Sequence, residues 1–190
     1  MSFEIDISDD QNSVQVDTKQ LTHAISRALQ VEQVASAVIS VSIVDNAAIH
    51  KINREHLQHD YPTDVISFQL DFAIQGEADD LEEDEDEHEV EVDDSGVDLQ
   101  AVEPRSELRA QGAMIEGEII ASAQMAVEMA SSGQWSAMNE LTLYVIHGLL
   151  HICGYDDLTP DEKFIMRGRE CAVLHELGLT PVYPDDNLSI

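Results

Sequence analysis

Positive charge is scarce in this sequence, and the shortage excludes several classes of protein. The chain holds 9 Lys and Arg against 39 Asp and Glu, a formal net charge of −30 over 190 residues. Acidity on this scale repels phosphate backbones and anionic membranes, so composition argues against proteins that bind DNA or RNA through a basic surface. The charge is uneven, because residues 77–107 contain 16 acids and one base, which is half of the net charge.

Long apolar runs are also missing. No stretch approaches the roughly 18 consecutive apolar residues of a membrane-spanning helix. The first thirty residues lack the basic start and apolar core of a secretory signal. Only two cysteines occur, Cys153 and Cys171, and both fall in predicted helices, where reduced core thiols are expected. We therefore expect a cytoplasmic protein of one domain, spanning 1–190, since its 43% apolar content suffices for a single core.

Strands and helices alternate along the first half of the chain. Three segments show period-two alternation or runs of β-branched residues, which predicts strands. Two segments show apolar residues at helical spacing behind an aspartate that can cap a helix. The predicted strands are 3–7, 37–44 and 65–70, and the predicted helices follow Asp17 and Asp45. The second helix is expected to run to about residue 57, with Leu57 facing inward.

The pattern breaks between about residues 76 and 110, where acids dominate. Residues 77–98 contain 14 acids in 22 positions. Such a segment cannot bury enough apolar area to offset its chain entropy, so we expect a disordered insertion. A strand at 115–121 is expected to follow and to pair with the strand at 65–70. The insertion would then be an enlarged hairpin connection, which folds tolerate because closure entropy grows slowly with loop length.

The C-terminal third is predicted to be helical. One helix is expected at about 122–132, and Ser136 can cap a second that ends near Cys153. Thr159 begins a segment with a capping residue, a proline at the first helical position and a glutamate at the third, which predicts a last helix ending at Gly178. The order of elements predicts an α+β fold, with a small mixed sheet of about four strands covered by helices on one face.

Two histidines in the helix before Cys153 carry the strongest chemical signal. His147 and His151 lie about 40° apart around a helix, opposite a stripe of apolar residues, and imidazoles at this spacing can bind one tetrahedral ion. A carboxylate from the Asp156–Asp157 pair could be the third ligand, which leaves one position open for water, as in catalytic sites. The alternative is that the histidines are hydrogen-bonded core residues. Gly148 stands where His-Glu-x-x-His peptidases have their glutamate, so a peptidase is disfavoured.

The segment 147–157 reads H-G-L-L-H-I-C-G-Y-D-D and resembles the signature H-G-x-L-H-L-x-G-Y-D-H of the YbeY family. Two further segments are similar to family motifs: 62–68, P-T-D-V-I-S-F, resembles P-T-D-V-L-S-F, and 117–120, G-E-I-I, resembles G-D-I-x-I. The three blocks come in family order, and the resemblance spans the chain apart from the acidic insertion. The family consists of bacterial metal-dependent endoribonucleases of ribosomal RNA maturation.

The resemblance implies one divalent metal ion on the predicted C-terminal helix, with His147, His151 and Asp157 as ligands. The family has a histidine at the position of Asp157. A carboxylate binds zinc at a similar distance, but it makes the site more negative and the ion a weaker Lewis acid. Zinc is the expected ion, and the donor set also suits nickel, cobalt or iron. Glu140, two turns before His147, could orient a ligand; the alternative is a solvated helix residue.

Three residues are candidates for contacting RNA. The family normally has an arginine, thought to serve the substrate, where this chain has Leu57. Arg54, about one helical turn away, could replace it, and the alternative is a solvated surface arginine. Asp64 and Ser67 match the family strand that borders the site, so by resemblance they could touch substrate. The alternative is that Asp64 only begins the strand and that Ser67 is only a polar residue on its outward face.

The leading hypothesis is a metal-dependent single-strand endoribonuclease that acts in ribosomal RNA processing and in ribosome maturation and quality control. The ion would activate water or polarise a phosphoryl oxygen, and no side chain is assigned as catalytic. The expected partners are ribosomal RNA and the ribosome or its proteins, with no membrane and no DNA. The alternative is a non-catalytic metal-binding factor associated with the ribosome, motivated by Leu57, Asp157 and the acidity. A hydrolase of another substrate, such as a peptide, is disfavoured.

Overall fold

The computed structural model describes residues 1–74 and 108–183, which form one four-stranded sheet and five helices. The predicted α+β class, with a mixed sheet covered by helices, is confirmed. Within these ranges no helix has the length and hydropathy that crossing a bilayer requires. The strands are β1 (Ser2–Asp9), β2 (Ser36–Val44), β3 (Val65–Ile74) and β4 (Ala113–Ser122), and the helices are α1 (Thr18–Val31), α2 (Asn46–His56), α3 (Ala123–Gly133), α4 (Ala137–Ile152) and α5 (Pro160–Glu176).

The sheet has the strand order β1-β2-β4-β3. β1 and β4 lie parallel to β2 on its two sides, and β3 closes the sheet antiparallel to β4, as predicted. The β3–β4 pairing reaches Ile74 and Ala113, so the acidic segment connects neighbouring strands. Most of the predicted insertion lies outside the described residues. The described chain resumes at Leu108, and Ala110 is fully buried in the core.

The main core lies between one face of the sheet and α4, with α1, α3 and α5 around that helix. Alternate residues of β2 and β4 point into it, which is the period-two pattern of strands. The opposite face carries a smaller cluster in which Ile49 of α2 packs on Ile66 and Ile120. The expectation that all helices cover one face is therefore wrong for α2.

The predicted inward position of Leu57 is also wrong. α2 ends at His56, and Leu57 is its C-terminal cap, with 44% of its surface exposed. The buried residues of this helix are Ile49 and Asn53. Helical spacing predicts which face a residue occupies only while the backbone continues as a helix. α2 ends one residue before Leu57, so the spacing does not apply to it.

α4 is buried on nearly every side. The predicted stripe is in the core, but Ile146 and Leu150, on other faces of the helix, are fully buried as well. Gly148 lets α4 lie close to the sheet, because a Cβ at this position would approach Val65 Cγ2 at 3.1 Å and Ile119 Cγ2 at 3.2 Å. Position 148 therefore faces the sheet.

Candidate metal centre

Three potential ligands meet where α4 ends. The Nε2 atoms of His147 and His151 are 3.0 Å apart, and carboxylate oxygens of Asp157 lie 3.9 and 3.8 Å from them, respectively. Among the described residues these three form the group that could hold a metal ion. Helical spacing brings the histidines together, and the chain then turns at Gly154, which adopts φ +89°, so that Asp157 returns toward them.

The separations suit a tetrahedral divalent ion. Zinc bonds of about 2.0–2.1 Å to nitrogen or oxygen place tetrahedral ligand atoms about 3.3 Å apart. The observed 3.0–3.9 Å brackets this value, so small side-chain movements would complete the geometry. Asp156 is engaged differently, because its Oδ1 accepts a hydrogen bond from the Asp157 amide at 2.8 Å. Three protein ligands would leave a fourth position for water or substrate.

Glu170 on α5 orients His147. Its Oε1 lies 2.6 Å from His147 Nδ1, and its other oxygen accepts a hydrogen bond from the hydroxyl of Tyr183. Only 3% of Glu170 is exposed. A carboxylate can only accept here, so Nδ1 carries the proton and Nε2 is left with its lone pair directed at the centre.

Glu170 is not among the site residues predicted from the sequence. The signal that could have found it is an acid within a buried helical stripe, since Met166, Glu170 and Val173 share the inward face of α5. An ionisable group in such a stripe needs a partner, because burying an unpaired charge is costly. None of the three family motifs includes α5.

The backbone carbonyl of Tyr155 orients His151. His151 Nδ1 lies 3.0 Å from this oxygen, so its Nε2 also faces the centre. The hydroxyl of Tyr155 donates to Glu32 at 2.8 Å, and Glu32 accepts two hydrogen bonds from Arg169 at 2.7 and 2.9 Å. Glu32 is fully buried. The loop that carries Asp157 is thus tied to α1 and α5.

The two histidines differ in basicity. Burial lowers the pKa of His147, but the hydrogen bond and charge of Glu170, aided by Asp157, outweigh burial and raise this pKa above its ordinary 6.5. Burial and the neighbouring charge of His147 lower the pKa of His151. In the metal-free protein His147 is therefore the first of the two to be protonated as pH falls, and a proton there competes with metal binding.

A cavity of about 510 Å³ opens beside the centre. Carboxylates and two cations supply its charged groups, and methionine, leucine and valine side chains supply an apolar wall. The cations are Lys163 and Arg167 of α5. The acidic composition of the chain does not predict two cations at one site. The other lining residues of the described chain are Pro62, Thr63, Asp64, Met125, Met129, Glu140, Leu143, Tyr144, His147, Asp157, Met166, Glu170, Val182 and Tyr183.

The residues predicted to contact substrate occupy different places. Asp64 lines the cavity, and its Oδ1 accepts hydrogen bonds from Thr63 Oγ1 and the Val65 amide, both at 2.9 Å. Arg54 and Ser67 are not among the cavity-lining residues of the described chain. Arg54 is exposed on α2, and Ser67 lies on β3 near Gly148.

Glu140 lines the cavity, and only 8% of it is exposed, so the alternative of a solvated residue is wrong. Its carboxylate accepts a hydrogen bond from the indole N–H of Trp135. Burial and the charge and hydrogen bond of Glu140 raise the pKa of the adjacent Tyr144. Glu170, rather than Glu140, provides the carboxylate hydrogen-bonded to His147.

Together the fold and the site define an α+β protein with a histidine–carboxylate group that could hold a metal ion. The chain belongs to the YbeY family: the family model described as Endoribonuclease YbeY matches residues 6–178. This confirms the resemblance drawn from the motifs, and the family is one of nuclease hydrolases, the predicted class of enzyme.

Two relatives show how far the similarity extends. Endoribonuclease YbeY of Rhodopirellula baltica is 37% identical over 162 residues, covering 84% of this chain but only 64% of that protein, which is less than two thirds. Endoribonuclease YbeY of Bacillus velezensis is 37% identical over 182 residues, covering 95% of this chain and 99% of that protein. A solution structure of a Thermotoga maritima protein is 17% identical, with a TM-score of 0.49, covering 93% of this chain and 91% of that one.

Proposed function

We propose that this protein is a metal-dependent endoribonuclease that cleaves single-stranded RNA. Its substrate is ribosomal RNA, and it acts in the cytoplasm in ribosomal RNA processing and in ribosome maturation and quality control, in contact with the ribosome or its proteins. The observation that carries the proposal is the convergence of His147, His151 and Asp157 at the edge of a cavity that also contains Lys163 and Arg167. The names of the relatives support the same activity.

The ligand geometry supports a single divalent ion, with zinc as the first candidate. Such an ion supplies a Lewis acid that can polarise a phosphoryl oxygen or lower the pKa of water. Glu170 and the Tyr155 carbonyl hold the two imidazoles so that both Nε2 atoms face one point. This preorganisation means that little side-chain freedom is lost when the ion binds.

The charges of the cavity make RNA binding depend on the metal. The lining contains two cations, Lys163 and Arg167, and four carboxylates, so its formal charge is −2 with neutral histidine. The carboxylates are Asp64, Glu140, Asp157 and Glu170. A bound divalent ion brings this charge to zero. Phosphate is therefore repelled by the metal-free cavity and admitted by the loaded one.

Within the loaded cavity the chain's own residues position the substrate. Lys163 and Arg167 attract the phosphate, and Arg167 also offers a planar guanidinium suited to two phosphate oxygens. Asp64, on the loop before β3, accepts hydrogen bonds from substrate. Arg54 binds the strand farther along, outside the cavity, and Ser67 acts near the point where β3 meets α4.

The test is cleavage of a labelled single-stranded RNA by protein reconstituted with zinc. His147→Ala should abolish cleavage, because it removes a ligand. His175→Ala, an exposed histidine near the end of α5, is the matched control and should cleave like wild type. Chelation should stop the wild-type reaction, and added zinc should restore it. Equal specific activity of wild type and His147→Ala in nuclease-free preparations would reject the proposal.

The alternative function is a non-catalytic metal-binding factor associated with the ribosome. The exposed Leu57, in the place of the family's arginine, and the carboxylate ligand Asp157 favour it. In that case the metal links the end of α4 to the loop before α5 and acts only on stability. Chelation that lowers the thermal transition, with no RNA cut under any metal, would select this function.

A further inference from the structure

Two stacked aromatic rings lie exposed on the loop between α2 and β3. The rings of His59 and Tyr61 have centroids 5.4 Å apart and planes within 12° of parallel. Tyr61 is 55% exposed, and His59 is exposed as well. Tyrosine rings in folded proteins are usually largely buried, so an exposed stacked pair is unusual. The pair leaves an aromatic surface in solvent on which another ring can pack.

The loop that carries these rings is held in place by α2. Asn53, which is almost fully buried, donates from Nδ2 to the Tyr61 carbonyl at 2.8 Å. Its own carbonyl accepts from the His59 amide at 3.3 Å. His50 contacts Asp60, between the two rings in sequence, at 2.9 Å. The aromatic surface is thus preformed, and binding to it would lose little loop entropy.

The loop that carries the ring pair continues directly into the lining of the metal cavity. Tyr61 directly precedes three residues of the cavity lining, Pro62, Thr63 and Asp64, and consecutive Cα atoms are only about 3.8 Å apart. A single strand whose phosphate lies beside Lys163 and the metal ligands therefore extends past this loop.

We infer that the exposed face of the His59–Tyr61 pair is a stacking platform for an unpaired base of the RNA, next to the phosphate in the cavity. The inference rests on the proposed endoribonuclease function and names how its substrate is held. Aromatic rings bind bases through their faces without sequence preference. Asp60, which lies between His59 and Tyr61 in sequence, is acidic and disfavours phosphate at this position. The platform therefore recognises base faces.

The platform accounts for RNA binding by an acidic protein. Binding through phosphate contacts requires many cations and weakens steeply with salt. Stacking requires no cation, so this part of the affinity is retained at high ionic strength. The platform also favours single strands, because a base in a duplex has its faces covered.

The test measures RNA binding and cleavage by the full-length, zinc-loaded protein. A short single-stranded RNA carrying 2-aminopurine reports stacking by loss of its fluorescence. Tyr61→Ala should weaken binding about 5- to 160-fold, the range for one stacked base. Tyr61→Phe should bind within about twofold of wild type, and Tyr61→Leu, the matched control that keeps apolar volume without a ring, should bind like Tyr61→Ala.

Three further readouts separate stacking from a structural role. The thermal transition should be unchanged in all three variants, since Tyr61 is exposed. In cleavage assays KM should rise in Tyr61→Ala while kcat stays near wild type. The salt dependence of RNA binding should have the same slope in wild type and in Tyr61→Ala, because no phosphate contact is removed.

Several outcomes would overturn the inference. Wild-type affinity in Tyr61→Ala or in Tyr61→Leu would show that no base stacks on the pair, even if the enzyme cleaves RNA normally. Unchanged RNA affinity together with lost co-sedimentation with ribosomes would assign the rings to a protein partner instead. Failure of the wild type to bind or cleave any RNA would reject the proposed function and the platform together.

Discussion

Replacing Glu170 by glutamine should weaken metal binding without removing a ligand. Glutamine keeps the size of the side chain but loses the charge-assisted contact of 2.6 Å to His147 Nδ1. Hydrogen-bond partners of metal-bound histidines are typically worth 10- to 100-fold in metal affinity, about 1.4–2.7 kcal/mol. We expect the upper half of this range, because Glu170 is buried and solvent screens its charge little.

The zinc affinity of Glu170→Gln is measured by competition with a chromogenic chelator at pH 8, where protons compete less for the histidines than at neutral pH. This pH matters because glutamine also lowers the pKa of His147, which would relieve proton competition and mask part of the loss. The visible spectrum of the cobalt-substituted protein reports whether His147 still binds in the same orientation. Tyr183→Phe should give a smaller loss, since it removes only the hydroxyl bonded to Glu170.

Glu140→Gln is the matched control. Glu140 is the other buried glutamate of the cavity, and it bonds to Trp135 instead of a metal ligand, so zinc affinity should stay within about twofold of wild type. The metal-free thermal transitions of both variants identify any loss that comes from partial unfolding. Zinc binding by Glu170→Gln within threefold of wild type, or an equal loss in Glu140→Gln, would refute the orienting role.

Four other results are expected. Gly148→Ala should destabilise the protein by about 1–3 kcal/mol in denaturant unfolding, because the added Cβ meets side chains of β3 and β4 at 3.1 and 3.2 Å; a change below about 0.5 kcal/mol would contradict this packing. Metal affinity should fall as pH drops through the raised pKa of His147, starting above pH 6.5, and in Glu170→Gln this fall should move to lower pH. Asp157→His should cleave RNA faster in zinc-loaded form, since a neutral third ligand leaves the ion a stronger Lewis acid, and cleavage at or below the wild-type rate would argue against it. Deleting residues 77–107 removes a net charge of −15 and should tighten RNA binding at low salt but not at high salt, as measured by filter binding or anisotropy.

Most helices and strands could be predicted because their signals are local. Asp17, Asp45, Ser136 and Thr159 cap the helices that follow them, as their positions indicated. A capping side chain accepts hydrogen bonds from backbone amides two or three residues along the chain, so its effect does not depend on tertiary packing. The predicted inward position of Leu57 is wrong because the end of α2 is not set locally. It depends on how the next loop is anchored to Asn53.

The candidate metal ligands are likewise predictable from local sequence. One helical turn separates His147 from His151, and the turn at Gly154 brings Asp157 back within a few residues, so the three-ligand group is encoded within eleven consecutive positions. The identity of the third ligand still required the family motif, since spacing alone left Asp156 and Asp157 open.

By itself, the sequence determined most of the secondary structure, the family and the segment that carries the candidate metal ligands, since each depends on residues close together in the chain. Only the tertiary structure decided which groups surround them. Glu170 reaches His147 across 23 residues, and Asp64 enters the cavity lining from the loop before β3. Such neighbours are set by how helices pack on the sheet, and periodicity within one element says only which face is buried, not what it meets.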